Sequence, residues 1–141
     1  MITVGQIKSA DLRVKLFCSL KKIGAQLPII ISPHAYVSGH AALREGTIVM
    51  HGAIINAGSS IGENCIINTQ ALIEHDTEVK SHSHISTGAK VNGGVSVGKE
   101  SFVGCGSVIH ESVQIGEKCI ISAGSVVRNN IPAGNTFGCI S

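Results

Sequence analysis

From Ile31 onward an isoleucine, valine or leucine returns at every sixth position, through Val37, Leu43 and Val49 to Val127, seventeen consecutive times without an insertion or deletion. Four residues after nearly every one stands a small side chain, such as Ala35, Thr47, Ser59, Cys65, Ala71, Ser83 or Cys119, with Val95, Val113 and Ile131 as exceptions. A period of six fits neither the 3.6-residue helix nor the two-residue alternation of a hairpin, but it is the signature of a parallel β-helix built from hexapeptides. Three hexapeptides make one triangular coil, one aliphatic from each side points to the axis, and small residues fill the corners. Coils stack at the inter-strand spacing, so roughly a hundred repeating residues give between five and six coils and a prism about 27 Å long. The expected fold class is therefore all-β, a parallel β-helix preceded by a short strand-helix segment.

Composition agrees with small repeated sites. The chain has 17 Gly, no Trp, one Tyr and three Phe, so its core must be made of branched aliphatics that suit strands. Each coil buries its aliphatic only against the next, and both ends need covering. At the far end Asn129–Gly134 breaks the period, and the expectation is an abrupt stop without a capping helix. A net charge of +2, with no basic run longer than Lys21-Lys22, does not indicate capture of nucleic acid or of a membrane surface. No apolar run approaches a membrane span, and Lys8, Asp11, Arg13 and Lys15 stand where a signal peptide would be apolar, so a cytoplasmic protein is expected. The five cysteines, Cys18, Cys65, Cys105, Cys119 and Cys139, are scattered and never form a C-x-x-C pair, which points to reduced structural thiols.

Residues 1–27 lie outside the repeat. Ile2-Thr3-Val4 reads as a short strand and Ser9 as the N-cap of a helix ending at Gly24, with Asp11 in the first turn and Lys21 and Lys22 in the last. Leu12, Leu16, Leu20 and Ile23 form its expected apolar stripe, with Phe17 beside it. One strand and one helix cannot bury that stripe alone. Either the helix packs on the following prism, or residues 1–27 are the remnant of a larger α/β unit. The β-helix domain then occupies 28–141.

The chemistry concentrates between Asn68 and Gly93, where His75, His82 and His84 fall within ten residues. Because residue i+18 lies above residue i, His75 sits at a corner with Ala57 below and Gly93 above. Glycine there lets a ligand approach backbone N–H groups closely. A histidine beside a carboxylate is a candidate general base, since the carboxylate fixes the tautomer and raises ring basicity. Asp76 is the first choice for that partner and Glu74 the second. Surface histidines beside acids are also common as purely structural neighbours, and spacing alone does not separate the two cases.

The repeat together with Asn68-x6-His75-Asp76-x7-His84-x8-Gly93 resembles the hexapeptide-repeat sugar O-acyltransferase family, which includes sialic-acid O-acetyltransferases and UDP-4-amino-sugar N-acetyltransferases. The similarity runs from about residue 2 to 135. It implies a left-handed coil, a homotrimer with acetyl-CoA in the groove between subunits, and His75 as catalytic base hydrogen-bonded by Asp76. It further implies His84 near the acetyl group, the Gly93 N–H on the thioester oxygen, and Asn68 in the same pocket. The acceptor would be an amino group of a nucleotide-activated amino sugar, or alternatively a hydroxyl of a sialic-acid-type sugar. The sequence departs from the family in having only the end of a nucleotide-sugar-binding domain, and in its Gly134–Ser141 ending. His34, His40, His51 and His110 fall at solvent-side or turn positions, while His82 is left open. A zinc carbonic-anhydrase-like prism is the rival, with His75 and His110 almost two coils apart, but Ile115 stands where a third ligand is needed. No metal is therefore expected. A catalytically silent scaffold is the remaining alternative.

Overall fold

The structure is a computed structural model describing residues 2–138. Cys139 and the last part of the expected divergent ending lie outside the described residues. One helix, α1 (Asp11–Lys22), precedes two-residue strands that recur every six residues from β1 (Ile30–Ile31) to β17 (Val126–Val127), and β18 (Thr136–Phe137) closes the series. Every third strand pairs in parallel, always 18 residues apart up to β17, as in Ile30↔Ile48 and His84↔Ile66. The result is three parallel sheets of seven, six and five strands forming the sides of a left-handed β-helix.

The second residue of each strand points to the axis. From Val49 to Val127 all these aliphatics are buried, in one continuous core. From Thr47 to Cys119 the small residues between them are buried too, and the loss of hydration at the buried hydroxyls is offset because each donates to the carbonyl 15 residues later. Thr47 reaches Gly62 at 2.7 Å, Ser59 reaches Glu74 at 2.8 Å, and Thr77, Ser83, Ser101 and Ser107 repeat the contact. Cys65 fits the same slot, its thiol 3.3 Å from the Lys80 carbonyl, and burial pushes that thiol up to about 11.

A second sixfold column, not anticipated from the sequence, sets the corners. From Gly46 to Gly124 every sixth residue has positive φ, and the non-glycine occupants include Asn64 (53°), Asp76 (56°) and His82 (66°). Asparagine and aspartate tolerate this left-handed conformation, whereas histidine adopts it at a cost.

The N-terminal segment differs from expectation in three ways. Ile2-Thr3-Val4 forms no strand. Ala10, not Ser9, holds the N-cap position, although Ser9 Oγ still accepts the Asp11 N–H at 3.0 Å. The buried face of α1 is Arg13 and Phe17 with partial cover of Leu16 and Leu20, while Leu12 and Ile23 are exposed. The cause is the surface beneath: α1 and the preceding segment lie on the outer face of the first sheet, where Asn64 offers oxygen acceptors and Gly46 leaves room for the Phe17 ring. Gly24, with φ 76°, ends the helix as expected.

The C-terminal break is also different from an abrupt stop. Ile131 bridges Ile115 and β18 pairs with β16 (Ile120–Ile121), both 16 residues apart, so the last coil is two residues short and still continues the first sheet. Asn130 Oδ1 accepts the Gln114 N–H at 2.8 Å, standing in for the backbone carbonyl that the missing residues would have supplied.

Truncating the fully buried Ile85 tests the stacked core. Ile85→Ala should lower unfolding free energy by about 2–5 kcal/mol in urea titration. A loss below about 0.5 kcal/mol would show that the axis is not close-packed there.

Candidate active site

His75 occupies the corner after β8 (Leu72–Ile73), held from above and below by backbone bonds. Gly94 N–H donates to the His75 carbonyl and Asp76 N–H to the Ala57 carbonyl, both at 3.0 Å. The left-handed turn at Asp76 brings its carboxylate beside the preceding ring, and His75 Nδ1 lies 2.9 Å from Asp76 Oδ2. A carboxylate only accepts, so Nδ1 carries the proton and Nε2 presents a lone pair. This hydrogen bond holds the His75 pKa above its ordinary value, against desolvation and with the added help of the Asp76 and Glu74 charges. Both side chains are largely exposed, 66% and 72%. The dyad is thus open to a substrate.

Glu74 is not the orienting acid. Its Oε2 accepts Asn56 Nδ2 at 3.0 Å and the His75 backbone N–H at 3.3 Å, and so braces the coil.

Two glycines cradle the pair. A methyl group on Gly93 would lie 2.7 Å from His75 Cε1 and Nε2, so the ring rests against the Gly93 backbone. One on Gly58 would collide with Asp76 Oδ1, and Gly58 has φ 74° besides. The space above His75 that the sequence suggested is therefore filled by its own ring. Gly58 was missed, although its place one coil below Asp76 was the available signal. The Gly93 N–H makes no hydrogen bond among the described residues and stays free beside the imidazole.

Asn68 and His84 form a separate group on the first sheet. His84 opens β10 (His84–Ile85) and is buried, stacked edge-on against Phe102 with centroids 5.3 Å apart. Asn68 Nδ2 lies 3.1 Å from His84 Nε2, and His84 Nδ1 lies 2.9 Å from the Gln6 carbonyl. Burial lowers the His84 pKa. The pair lines a mostly apolar groove of about 320 Å³ with Ile2, Val4, Ile48, Met50 and Ile66. Within one protomer no hydrogen bond among the described residues joins this group to the His75–Asp76–Gly93 corner.

His82 belongs to neither group. Its Nδ1 lies 3.0 Å from Asn64 Nδ2, its ring meets Phe17 edge-on at 5.4 Å, and burial lowers its pKa, so it supports α1. His34, His40 and His51 are exposed, His110 is half-buried, and the His34 and His51 rings lie 5.9 Å apart. The described residues contain no group of three His, Cys, Asp or Glu side chains placed to hold a metal ion, and no helix among them is long and apolar enough to cross a membrane.

Comparison with known proteins bears on the fold that carries these residues. The family model described as bacterial transferase hexapeptide (six repeats) matches residues 94–129. The acetyltransferase domain of PglB from Neisseria gonorrhoeae superposes with a TM-score of 0.90 at 32% identity, over 92% of this chain and 63% of that one. That domain is also known in complex with acetyl coenzyme A. A mutant of perosamine N-acetyltransferase from Caulobacter crescentus, in complex with CoA and GDP-perosamine, gives 0.89 at 38% identity over 92% and 62%. WeeI from Acinetobacter baumannii gives 0.87 at 26% over 92% and 64%. The chain thus spans less than two thirds of the length of these structures. No curated protein sequence matches it.

If the glycine cradle sets the dyad, Gly58→Ala should displace the Asp76 carboxylate and return the His75 titration toward its ordinary value. Proton NMR titration of the His75 ring checks this; an unchanged midpoint would show that Gly58 only turns the chain.

Proposed function

We propose that this chain, a hexapeptide-repeat protein with the fold of sugar N-acetyltransferase domains, transfers the acetyl group of acetyl-CoA to an amino group of a nucleotide-activated amino sugar. The observation that carries the reading is the His75–Asp76 hydrogen bond at 2.9 Å, seated between Gly58 and Gly93 on a prism that matches structures holding acetyl coenzyme A or CoA with GDP-perosamine.

The chemistry follows from the tautomer. Asp76 keeps the proton on His75 Nδ1 and leaves Nε2 to take a proton from the acceptor amine as its nitrogen attacks the thioester carbonyl. The C–N bond forms, the carbonyl oxygen becomes an oxyanion beside the free Gly93 N–H, and the C–S bond breaks to release the CoA thiolate. The proton held on Nε2 then neutralises the thiolate. Acetyl-CoA is the co-substrate and no metal takes part in these steps.

His75 and His84 stand on different sides of one prism, so Asn68 and His84 reach the acetyl group from a neighbouring subunit. A homotrimer of parallel prisms supplies that arrangement, with acetyl-CoA in the groove between subunits. Residues 1–27 correspond in this reading to the end of a nucleotide-sugar-binding domain, and the setting is the cytoplasm, where acetyl-CoA is made.

Acetyl transfer to an amino sugar, read as thiol release, tests the assignment. His75→Ala should lose about 10²–10⁴-fold in kcat with the fold retained. Because the Asp76 hydrogen bond raises the His75 pKa, the rate should rise with pH through a midpoint above the ordinary histidine value, as Nε2 is freed. Asp76→Asn should move that midpoint to lower pH and lower the plateau. An unchanged rate in His75→Ala, or a midpoint that ignores Asp76→Asn, would contradict the base assignment.

A further inference from the structure

A buried polar chain joins the N-terminal segment to the groove on the first sheet, and its centre is Gln6. This side chain is buried; its Nε2 donates to the Glu100 carbonyl at 3.1 Å and lies 3.5 Å from the Ser101 carbonyl. Its Oε1 accepts Arg13 Nη1 at 3.3 Å. Arg13 is 1% exposed and has no carboxylate partner among the described residues; Nη2 donates instead to the Asn64 carbonyl at 2.6 Å and to Asn64 Oδ1 at 3.0 Å. Helix, segment and prism are thereby locked at one point. Beyond it, the Gln6 backbone carbonyl meets His84 Nδ1.

The direction of every hydrogen bond on His84 follows. The Thr69 N–H donates to Asn68 Oδ1 at 2.7 Å, which fixes Nδ2 as the Asn68 atom facing His84. An amide nitrogen only donates, so His84 Nε2 is the acceptor and the proton sits on Nδ1. A carbonyl only accepts, so Gln6 enforces the same tautomer from the other side. Protonating Nε2 would set an N–H against the Asn68 amide, and the imidazole is kept neutral. The second N–H of Asn68 is left for a ligand acceptor, polarised by the chain Gln6 carbonyl, His84, Asn68.

We propose that Gln6, anchored by Arg13, is a positioning residue that holds His84 as the neutral Nδ1–H tautomer and so keeps its Nε2 as the acceptor that steadies the Asn68 amide, whose second N–H meets an acceptor oxygen of the acetyl-CoA in the groove. This deepens the acetyltransferase reading and rests on it. It makes the segment before the repeat part of the catalytic domain's own machinery, separate from any service to the sugar. The groups facing His84 are the Gln6 carbonyl, Asn68 and the Phe102 ring, and the charge of Arg13 also disfavours the imidazolium.

The test compares wild type with Gln6→Leu, which keeps bulk and removes the three side-chain hydrogen bonds, and with Arg13→Met, which removes a buried charge without leaving a partner charge behind. Long-range proton–nitrogen NMR of the His84 ring in the free protein reads the tautomer, and acetyl-CoA titration calorimetry with steady-state kinetics reads the consequence. The expected result is Nδ1–H in wild type, loss of that single ring pattern in both variants as the Gln6 carbonyl is freed, an upward-moving titration in Arg13→Met where the opposing positive charge is gone, and about a tenfold weaker acetyl-CoA affinity with the amine-acceptor KM unchanged. An Nε2–H wild type, variants with an unchanged ring pattern, or a lost ring pattern with unaltered acetyl-CoA affinity would overturn the proposal. Failure of wild type to bind acetyl-CoA would sink the acetyltransferase reading and, with it, the role in that site, while the NMR arm would still decide the tautomer. Far-ultraviolet circular dichroism of each variant confirms the prism; should Gln6→Leu unfold, Arg13→Met with the same readouts decides.

Discussion

Everything in this molecule depends on one stacking constraint: up to the last coil, residue i lies on residue i+18, and the inward aliphatics of successive coils stack into one continuous core along the axis. Parallel ladders at this spacing leave no freedom of register, because a slip of one residue would turn the aliphatic column out to solvent. The same constraint fixes chemistry. It places Gly93 one coil above His75 and Gly58 one coil below Asp76, so a ring and a carboxylate find glycine where any other residue would carry a side chain. The His75 ring is oriented by the scaffold itself, and for the proposed reaction this is the form of preorganisation that lowers a barrier without a cost at the moment of reaction.

The three outer faces divide the remaining work. The first sheet presents Ile48, Ile66, His84, Phe102 and Ile120, and α1 with its leading segment covers part of it. The second presents Tyr36, Ile54, Leu72, Lys90, Val108 and Val126, an apolar strip interrupted by a single lysine. The third is polar, with Ser60, Glu78, Ser96 and Gln114. With the first face partly covered and the third polar, the second is the flat, uncovered apolar side of the prism.

Much of this was legible in the sequence. The sixfold aliphatic series and the small residues beside it located the core, and the 18-residue column put His75 next to Gly93. The left-handed corners were not legible, because they hold Gly, Asn, Gln, Asp, His, Glu, Ser and Lys alike and thus carry no single residue signal. Arg13 stood in the sequence only as one of several N-terminal charges; its burial depends on acceptors at Asn64, 51 residues away, that no local pattern reveals. The stripe Leu12, Leu16, Leu20 and Ile23 obeyed helical periodicity but held only at Leu16 and Leu20, which are partly covered, since the helix beds on Arg13 and Phe17 and leaves Leu12 and Ile23 exposed. The shortened last coil hid behind Asn130, whose side chain imitates backbone. The separation of His75 from His84 was legible, because nine residues are half a coil and half a coil carries His84 to another side of the prism.

The most direct test of the central claim is a thiol-release assay in which the protein and acetyl-CoA meet a nucleotide-linked amino sugar or the same sugar bearing a hydroxyl in place of the amine. The His75–Asp76 dyad predicts release of free CoA coupled one-to-one to N-acetylated sugar, with the hydroxyl analogue inert. No release with the amine, or equal release from both sugars in wild type and His75→Ala alike, would contradict it.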